Sequence, residues 1–356
     1  VAKKPLIDIE AYREDLSRFV FRSGFLMKPL FAKAKADPKR VVYAEGEDER
    51  VLRAAQVALE EGLAVPILIG RPSVVEARIA RFGLTIRPGV DFELINPEDD
   101  PRYRDYVQTY LEIAGRRGIT PEAARSLVRT NNTVIAALAV VRGEADAMIT
   151  GLEGRFLSRL RHIRDIIGLE PGVSDIAAMT LIITSKGAFF LTDTHVKHDP
   201  TAEEIADMTV LAAGHVERFG IEPKIALLSH SDFGAADTPS SMKMRKALGL
   251  IRERAPDLEC DGEMEADSAL VAAIRDRVLP SSRLKGVANV LVFPNLDAAN
   301  IAYQFAKVLG DALPVGPILI GAAQPVHVMT GSVTSRGVVN MTAVAVVEAQ
   351  GRGQKG

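Results

Sequence analysis

The sequence has a single cysteine, Cys260, in 356 residues. One thiol excludes an internal disulfide and any zinc cluster built on cysteines, and it fits a reducing, cytoplasmic compartment. There is no excess of one charge either: 44 basic side chains against 46 acidic ones leave a formal net charge of -2. No global field therefore draws the chain to nucleic acid or to an anionic membrane, and anion binding must be local. No apolar run approaches the roughly 18 residues that mark a membrane span. The opening VAKKPLIDIEAYRED lacks the apolar core of a secretion signal. Nucleotide motifs are missing as well. GRGQKG at 351–356 spells Gly-x-Gly-x-x-Gly, but no helix follows it to present an N-terminus to a phosphate, so it reads as a flexible tail. Gly-x-x-x-x-Gly-Lys-Ser/Thr does not occur.

What is present is ordinary globular material, with 47% hydrophobic and 25% charged residues. The length exceeds that of one compact core, so two domains, or one α/β unit divided by a cleft, are expected. Helical spacing in YREDLSRFVFRSGFLMKPLFAKAKA predicts one or two helices before residue 38, broken near Gly24 or Pro29. RVVYAEG, DERVLRAAQVALEEG and AVPILIG then read as strand, helix and strand. The alternation continues through helices near 72–82, 101–117 and 121–142, with strands at DFELIN and ADAMITG. It predicts a mainly parallel sheet covered by helices on both faces. A helix over FLSRLRHIRDIIG follows, and AAMTLIITS and GAFFLTD read as a hairpin turning at Lys186 and Gly187. Thr201 and Glu204 stand at capping-box spacing, so a helix starts there. Later strands are expected at KIALLSHS, VANVLVFP and GPILIG. Polar and small residues at their ends, in SHSDFG, PNLDAAN and GAAQPVH, fall where open α/β sheets take ligands.

Several groups could carry chemistry. Ser335-Arg336-Gly337 could hold an anion with backbone N–H groups and one guanidinium, or be a surface turn before a buried segment. Arg155, Arg159, Arg161 and Arg164 could grip phosphates from one helix face, or be solvated and paired with Glu153 and Asp165. His195 and His198, beside Asp193 and Asp199, could share a metal; a solvated loop is the preferred reading because no third ligand stands in register. His162, His215, His230 and His327 are isolated in sequence. Ser229, Ser231 and Asp232 could reach a ligand from a strand end, and Glu263, Glu265 and Asp267 read as exposed residues at a helix start.

Taken in order, ALLSHSDFG, DGEMEADSAL, ANVLVFPNLDAANIAYQ and GPILIGAAQPV resemble the C-terminal blocks of the phosphate acetyltransferase and butyryltransferase family. DAMITG followed by Leu160-Arg161 resembles its central block. The resemblance implies an acyltransferase-type α/β fold: two αβα domains with mainly parallel sheets and a cleft where coenzyme A and phosphate meet. In active members a Pro-Val-Asn-Asp-Leu-Ser-Arg-Gly loop is followed by an acid that deprotonates the thiol of coenzyme A. Aligned without a gap between Pro325-Val326 and Val338-Val339-Asn340, this sequence places Thr330 at the serine, Gly331 at the arginine and Gly337 at the acid. Ser335-Arg336 falls five residues late. With no carboxylate to accept the thiol proton, no catalytic residue is expected and transfer should lose several orders of magnitude.

The whole chain looks most like the C-terminal portion of large bacterial NADP-dependent malic enzymes, and its start at Val1 is read as a cut from a longer polypeptide. That resemblance implies an acetyl-CoA-binding regulatory domain, with acetyl-CoA or a related CoA thioester as effector and no cofactor of its own. NADP and a divalent metal would belong to the missing catalytic part, which would be its partner alongside a second copy of itself in a homodimer or higher homo-oligomer. The expected layout is a helical lead-in over 1–38, a first domain from 39–155 and 323–350, a second over 156–322, and a tail over 351–356. Candidate acetyl-CoA contacts are Arg161, Ser229, Ser231, Asn300, Thr330 and Arg336. An active phosphate acetyltransferase using Ser335 and Arg336, and a purely structural dimerisation domain, are the alternatives.

Overall fold

The computed structural model describes residues 26–353, so the helical pattern expected before Gly24 lies outside the described residues. Strands β1 (Lys39–Tyr43), β2 (Ala64–Ile69), β3 (Glu93–Ile95), β4 (Ala147–Thr150) and β11 (Val326–Val328) form one sheet in the order β11-β4-β1-β2-β3. Every pairing in it is parallel. The short apolar runs fit strands buried on both faces; β4, AMIT, is buried at all four positions.

Helix α1 (described over 26–36) runs through Pro29 without the break expected there. Its Met27, Leu30 and Ala34 are buried in the same cluster as α2 (Glu49–Glu60) and α13 (Ser335–Gly353). Asp48 caps α2 by accepting from the Arg50 N–H. Helix α13 is apolar almost all round, and Val338, Met341, Ala343, Ala345 and Val346 are fully enclosed or nearly so. It reaches Gly353, so the last turn takes in the first residues of the expected tail, and Arg352 donates to the carbonyl of Ala322. The pattern over 121–142 is two helices, α5 (Pro121–Thr130) and α6 (Asn132–Val141), because Asn131 adopts an extended backbone and caps α6 with its side chain.

The second sheet has the order β10-β5-β6-β9-β7-β8, from β5 (Ala177–Thr184), β6 (Gly187–Thr192), β7 (Ile225–Leu228), β8 (Cys260–Met264), β9 (Val290–Val292) and β10 (Leu313–Ile320). β5 and β6 form the expected antiparallel hairpin, but Thr184 pairs with Gly187, so the turn is Ser185-Lys186 rather than Lys186-Gly187. Helix α8 (Ala202–Arg218) begins with the Thr201–Glu204 capping box. Helix α7 (Phe156–Ile166) buries Leu160, Ile163 and Ile166 among first-sheet residues such as Val42 and Met148. Alternate residues of the second sheet face opposite ways. Leu181, Ile183, Phe190 and Val292 meet Ile205 and Ala212 of α8, while Ile182, Leu191 and Leu291 meet Ala299 and Tyr303 of α12 (Leu296–Leu309).

Candidate functional site

The chain leaves β11 at Val328 and turns through Thr330 to Val333, whose N–H bonds the Thr330 carbonyl at 3.0 Å. Thr334 then caps α13, its hydroxyl accepting from the Gly337 N–H at 3.1 Å. Arg50 fixes the loop from outside: its guanidinium donates to the carbonyls of Gly331 (2.7 Å), Val333 (3.2 Å) and Leu152 (3.2 Å) while paired with Asp48. Arg336, Gly337 and Asn340 of α13 line the space between the two units.

That space is a pocket of about 320 Å³ between Thr330, Ser332, Arg336, Gly337 and Asn340 of the first unit and Tyr303, Lys307 and Gly316 of the second. Arg336 and Asn340 also line an adjoining cavity of about 530 Å³ between α1, α2 and α13, with Phe31, Gln56 and Leu84. The two hollows share Arg336 and Asn340, at the start of α13. Burial pushes the Arg336 guanidinium down from its ordinary value, but an arginine keeps its charge.

An acid at position 337 would require Val333 to shift. A Cβ built on Gly337 would lie 2.8 Å from Val333 Cγ2. The serine and arginine positions, Thr330 and Gly331, carry no basic or acidic group, and Thr330 Oγ1 shares a hydrogen bond with Ser332 Oγ at 3.1 Å.

The other expected contacts scatter. Arg161 points to solvent, 83% exposed, with Asp165 at 3.9 Å. Its neighbour Arg159 turns inward instead, donating to Thr133 Oγ1 at 3.1 Å and lying 3.9 Å from Glu45. Glu45, at the end of β1, accepts from the Gly151 N–H at 3.0 Å; burial nevertheless pushes its carboxyl up. Ser231 is buried and committed to Glu263, at 3.0 Å, and to the Ala236 N–H. Ser229 Oγ is buried without a partner, and Asn300 donates to the Thr194 carbonyl at 3.1 Å. Of the six candidates, only Thr330 and Arg336 line the pocket.

Two readings of the loops are corrected. Glu263 is not an exposed helix-start residue: it is fully buried in β8, bonded to Ser231 and the Gly234 N–H, with Arg245 at 3.5 Å. His195 is not in a solvated loop. Its ring packs 5.3 Å from Phe156 and 6.1 Å from Tyr303, and burial pushes its imidazole down to about 4, so it is neutral at pH 7. Tyr303 and Lys307, which complete the pocket, were missed; the only signal was the run IAYQFAK after the Ala-Asn-Val-Leu-x-Phe-Pro block.

Two α/β units joined through α13, with a pocket at the loop after β11, define the architecture of a phosphate acyltransferase. The chain belongs to the phosphate acetyl/butaryl transferase family, whose profile matches residues 25–346. It is similar to a phosphotransacetylase structure from Streptococcus pyogenes, with a TM-score of 0.85 and 30% identity over 92% of this chain and 98% of that one. Among curated proteins it is 61% identical over 349 residues to an NAD-dependent malic enzyme of Rhizobium meliloti, covering 98% of this chain and 45% of that protein. It is 50% identical over 351 residues to an NADP-dependent malic enzyme of Escherichia coli, covering 98% and 46%. The chain thus spans about half the length of the malic enzymes it matches. Among the described residues, no helix is long and apolar enough to cross a membrane.

Proposed function

We propose that this chain is a CoA-thioester-binding regulatory module of a malic enzyme, with an acyltransferase fold that no longer transfers acyl groups. One observation carries the reading. The family's acid position is Gly337, where an added Cβ would meet Val333 Cγ2 at 2.8 Å, while Arg336 lines the pocket between the units. A site with a different cation, Arg336, and no base at position 337 would hold acetyl-CoA without taking the thiol proton. The malic enzymes among its relatives support the assignment to such a parent, and they include NAD- and NADP-dependent proteins. The catalytic part would supply the dinucleotide and metal chemistry, and acetyl-CoA would control malate decarboxylation to pyruvate from here.

The test is calorimetry of the purified chain with acetyl-CoA, alongside an assay for acetyl phosphate and free coenzyme A in the presence of phosphate. Saturable binding without product supports the module. Robust phosphate-dependent release of coenzyme A makes the chain an active phosphate acetyltransferase, and no binding makes it structural.

A further inference from the structure

A cavity of about 650 Å³ lies away from the cleft, at the far end of α13. From Arg336 to Arg352 that helix runs about 24 Å, at 1.5 Å per residue. Three helices end at the cavity: α1 at residue 36, α8 at Arg218 and α13 at Gly353. Each brings a cation to its wall, Lys33, Arg218 and Arg352. A cation in the last turn complements the helix dipole, which accounts for one charge at each end. It does not account for three such ends sharing one hollow, where like charges oppose each other. Burial pushes the Arg352 guanidinium down from its ordinary value, and the charge of Arg218 adds to that push.

The charges on this wall do not cancel in pairs. Glu170 is paired with Arg352, Asp37 with Lys39 at 2.6 Å, and Glu348 is held between His215 and His327. Every carboxylate of the hollow therefore has a partner. Lys33 Nζ reaches only the carbonyl of Arg218, at 3.4 Å. Among the described residues the Arg218 guanidinium has no hydrogen bond or ion pair. Two positive charges thus line the cavity without a carboxylate. The helix-end carbonyls that would oppose an anion are already taken: Gln350 Nε2 donates to those of Lys33 and Asp37, and Arg352 to that of Ala322. Ala36, Pro171 and Val347 add apolar wall.

We propose that this hollow is a second ligand site, for a small organic dianion, a phosphomonoester or a dicarboxylate, gripped by Arg218 and Lys33. The ligand's charge matches the two unpaired cations, and the fork of an arginine takes either oxyanion through two bonds. The volume is that of sites for small organic molecules. Such a ligand ties α8 of the second unit to α1 and α13 of the first, beside the buried contact of His215 with Glu348. It acts on one end of α13, and a ligand at Arg336 acts on the other.

The chain has no tryptophan, so Ala36→Trp, at an exposed position on the wall, places a sole indole in the hollow. Inorganic phosphate or succinate, each titrated at constant ionic strength, should change its emission saturably. Arg218→Gln should weaken the preferred anion at least tenfold, and Lys33→Gln several-fold. Tighter binding of phosphate identifies phosphomonoesters as the ligand class, and tighter binding of succinate identifies dicarboxylates. Calorimetry on the chain without the tryptophan repeats both titrations, in case the indole itself fills the site. Saturation by neither anion in either measurement, or an affinity indifferent to Arg218→Gln, overturns the proposal. None of these results depends on whether acetyl-CoA binds.

Discussion

Glu348 of α13 lies 3.1 Å from the Nδ1 of His215 on α8, so a buried carboxylate and a buried imidazole join the helix that completes the first unit to the main helix of the second. The other carboxylate oxygen is 3.4 Å from the Nε2 of His327 on β11. His327 accepts the Leu319 N–H at Nδ1, 3.2 Å away, which places its own proton on the side of Glu348. Burial alone would push this carboxyl up; the two imidazoles outweigh it and hold it well below the usual carboxylate range.

Glu348→Gln keeps the volume and removes the charge. It should cost about 2 kcal/mol, the value of hydrogen bonds to a charged group, and lower the thermal midpoint by several degrees. The sign with pH follows from the depressed value. The native carboxylate's contribution is fully present above the ordinary glutamate pKa of about 4.3 and is lost as pH falls toward the lower folded value. Denaturant melts should therefore show a gap between the two proteins that is steady from about pH 5 upward and closes below about pH 4. A gap that widens in acid would mean that Glu348 is protonated in the native state.

Arg336 and Arg161 are both candidate phosphate ligands, and the structure separates them. Arg336 lines both hollows at the start of α13, whereas Arg161 is 83% exposed beside Asp165. Arg336→Ala should weaken acetyl-CoA binding by about 1.5–3 kcal/mol, roughly 10- to 150-fold, as measured by calorimetry at low salt. Arg161→Ala should change it several-fold at most, through screened attraction. The reverse order would move the phosphate site to α7.

Much of this was legible from sequence. Short apolar runs such as RVVY and ILIG can only be buried strands, and Thr201 with Glu204 announces a helix start from local chemistry. The strand β8, CDGEM, was not legible, because its Asp261 and Glu263 look like surface residues until tertiary partners are known. Asp261 takes bonds from Arg252 at 2.9 Å and from the Arg283 N–H at 2.7 Å, and Glu263 Oε1 accepts from Ser231 and the Gly234 N–H in the loop after β7. The arginine cluster does not share one environment, for a geometric reason. Arg159 and Arg161 are two residues apart, about 200° around a helix, so one must face inward when the other faces out, and charge alone does not say which. The pocket was half legible: the loop of Thr330 to Gly337 stood out, but its opposite wall comes from a helix some thirty residues earlier in the chain.

Gly337→Asp restores the family's acid in name only. With Val333 Cγ2 at 2.8 Å from the new Cβ, the carboxylate must displace a stiff β-branched side chain, and Gly331 still leaves the arginine position empty. The single variant should show no measurable release of coenzyme A with phosphate. Adding Val333→Ala and Gly331→Arg should raise it above background if the rest of the pocket is intact. Activity in the single variant would show that the missing base alone silenced the site.

Inhibition of a parent malic enzyme from this module requires that acetyl-CoA bind two states of the assembly unequally. The route is physical: Arg336 and Asn340 stand at the start of α13, and Phe31 of α1 lines the cavity beside them. A ligand that shifts α13 therefore presses on α1, whose Met27 and Leu30 are buried in that cluster and which is the first described element of the chain. Acetyl-CoA should lower malate oxidation in the full-length protein. A form lacking this module should keep basal turnover and lose the response, and Leu30→Ala should leave acetyl-CoA binding within a few-fold while blunting the inhibition. The two effects need not match in size, because linkage is reciprocal for binding and not for turnover. Steady-state rates with and without acetyl-CoA decide it: a truncated enzyme as sensitive as the intact one would place the sensor outside this fold.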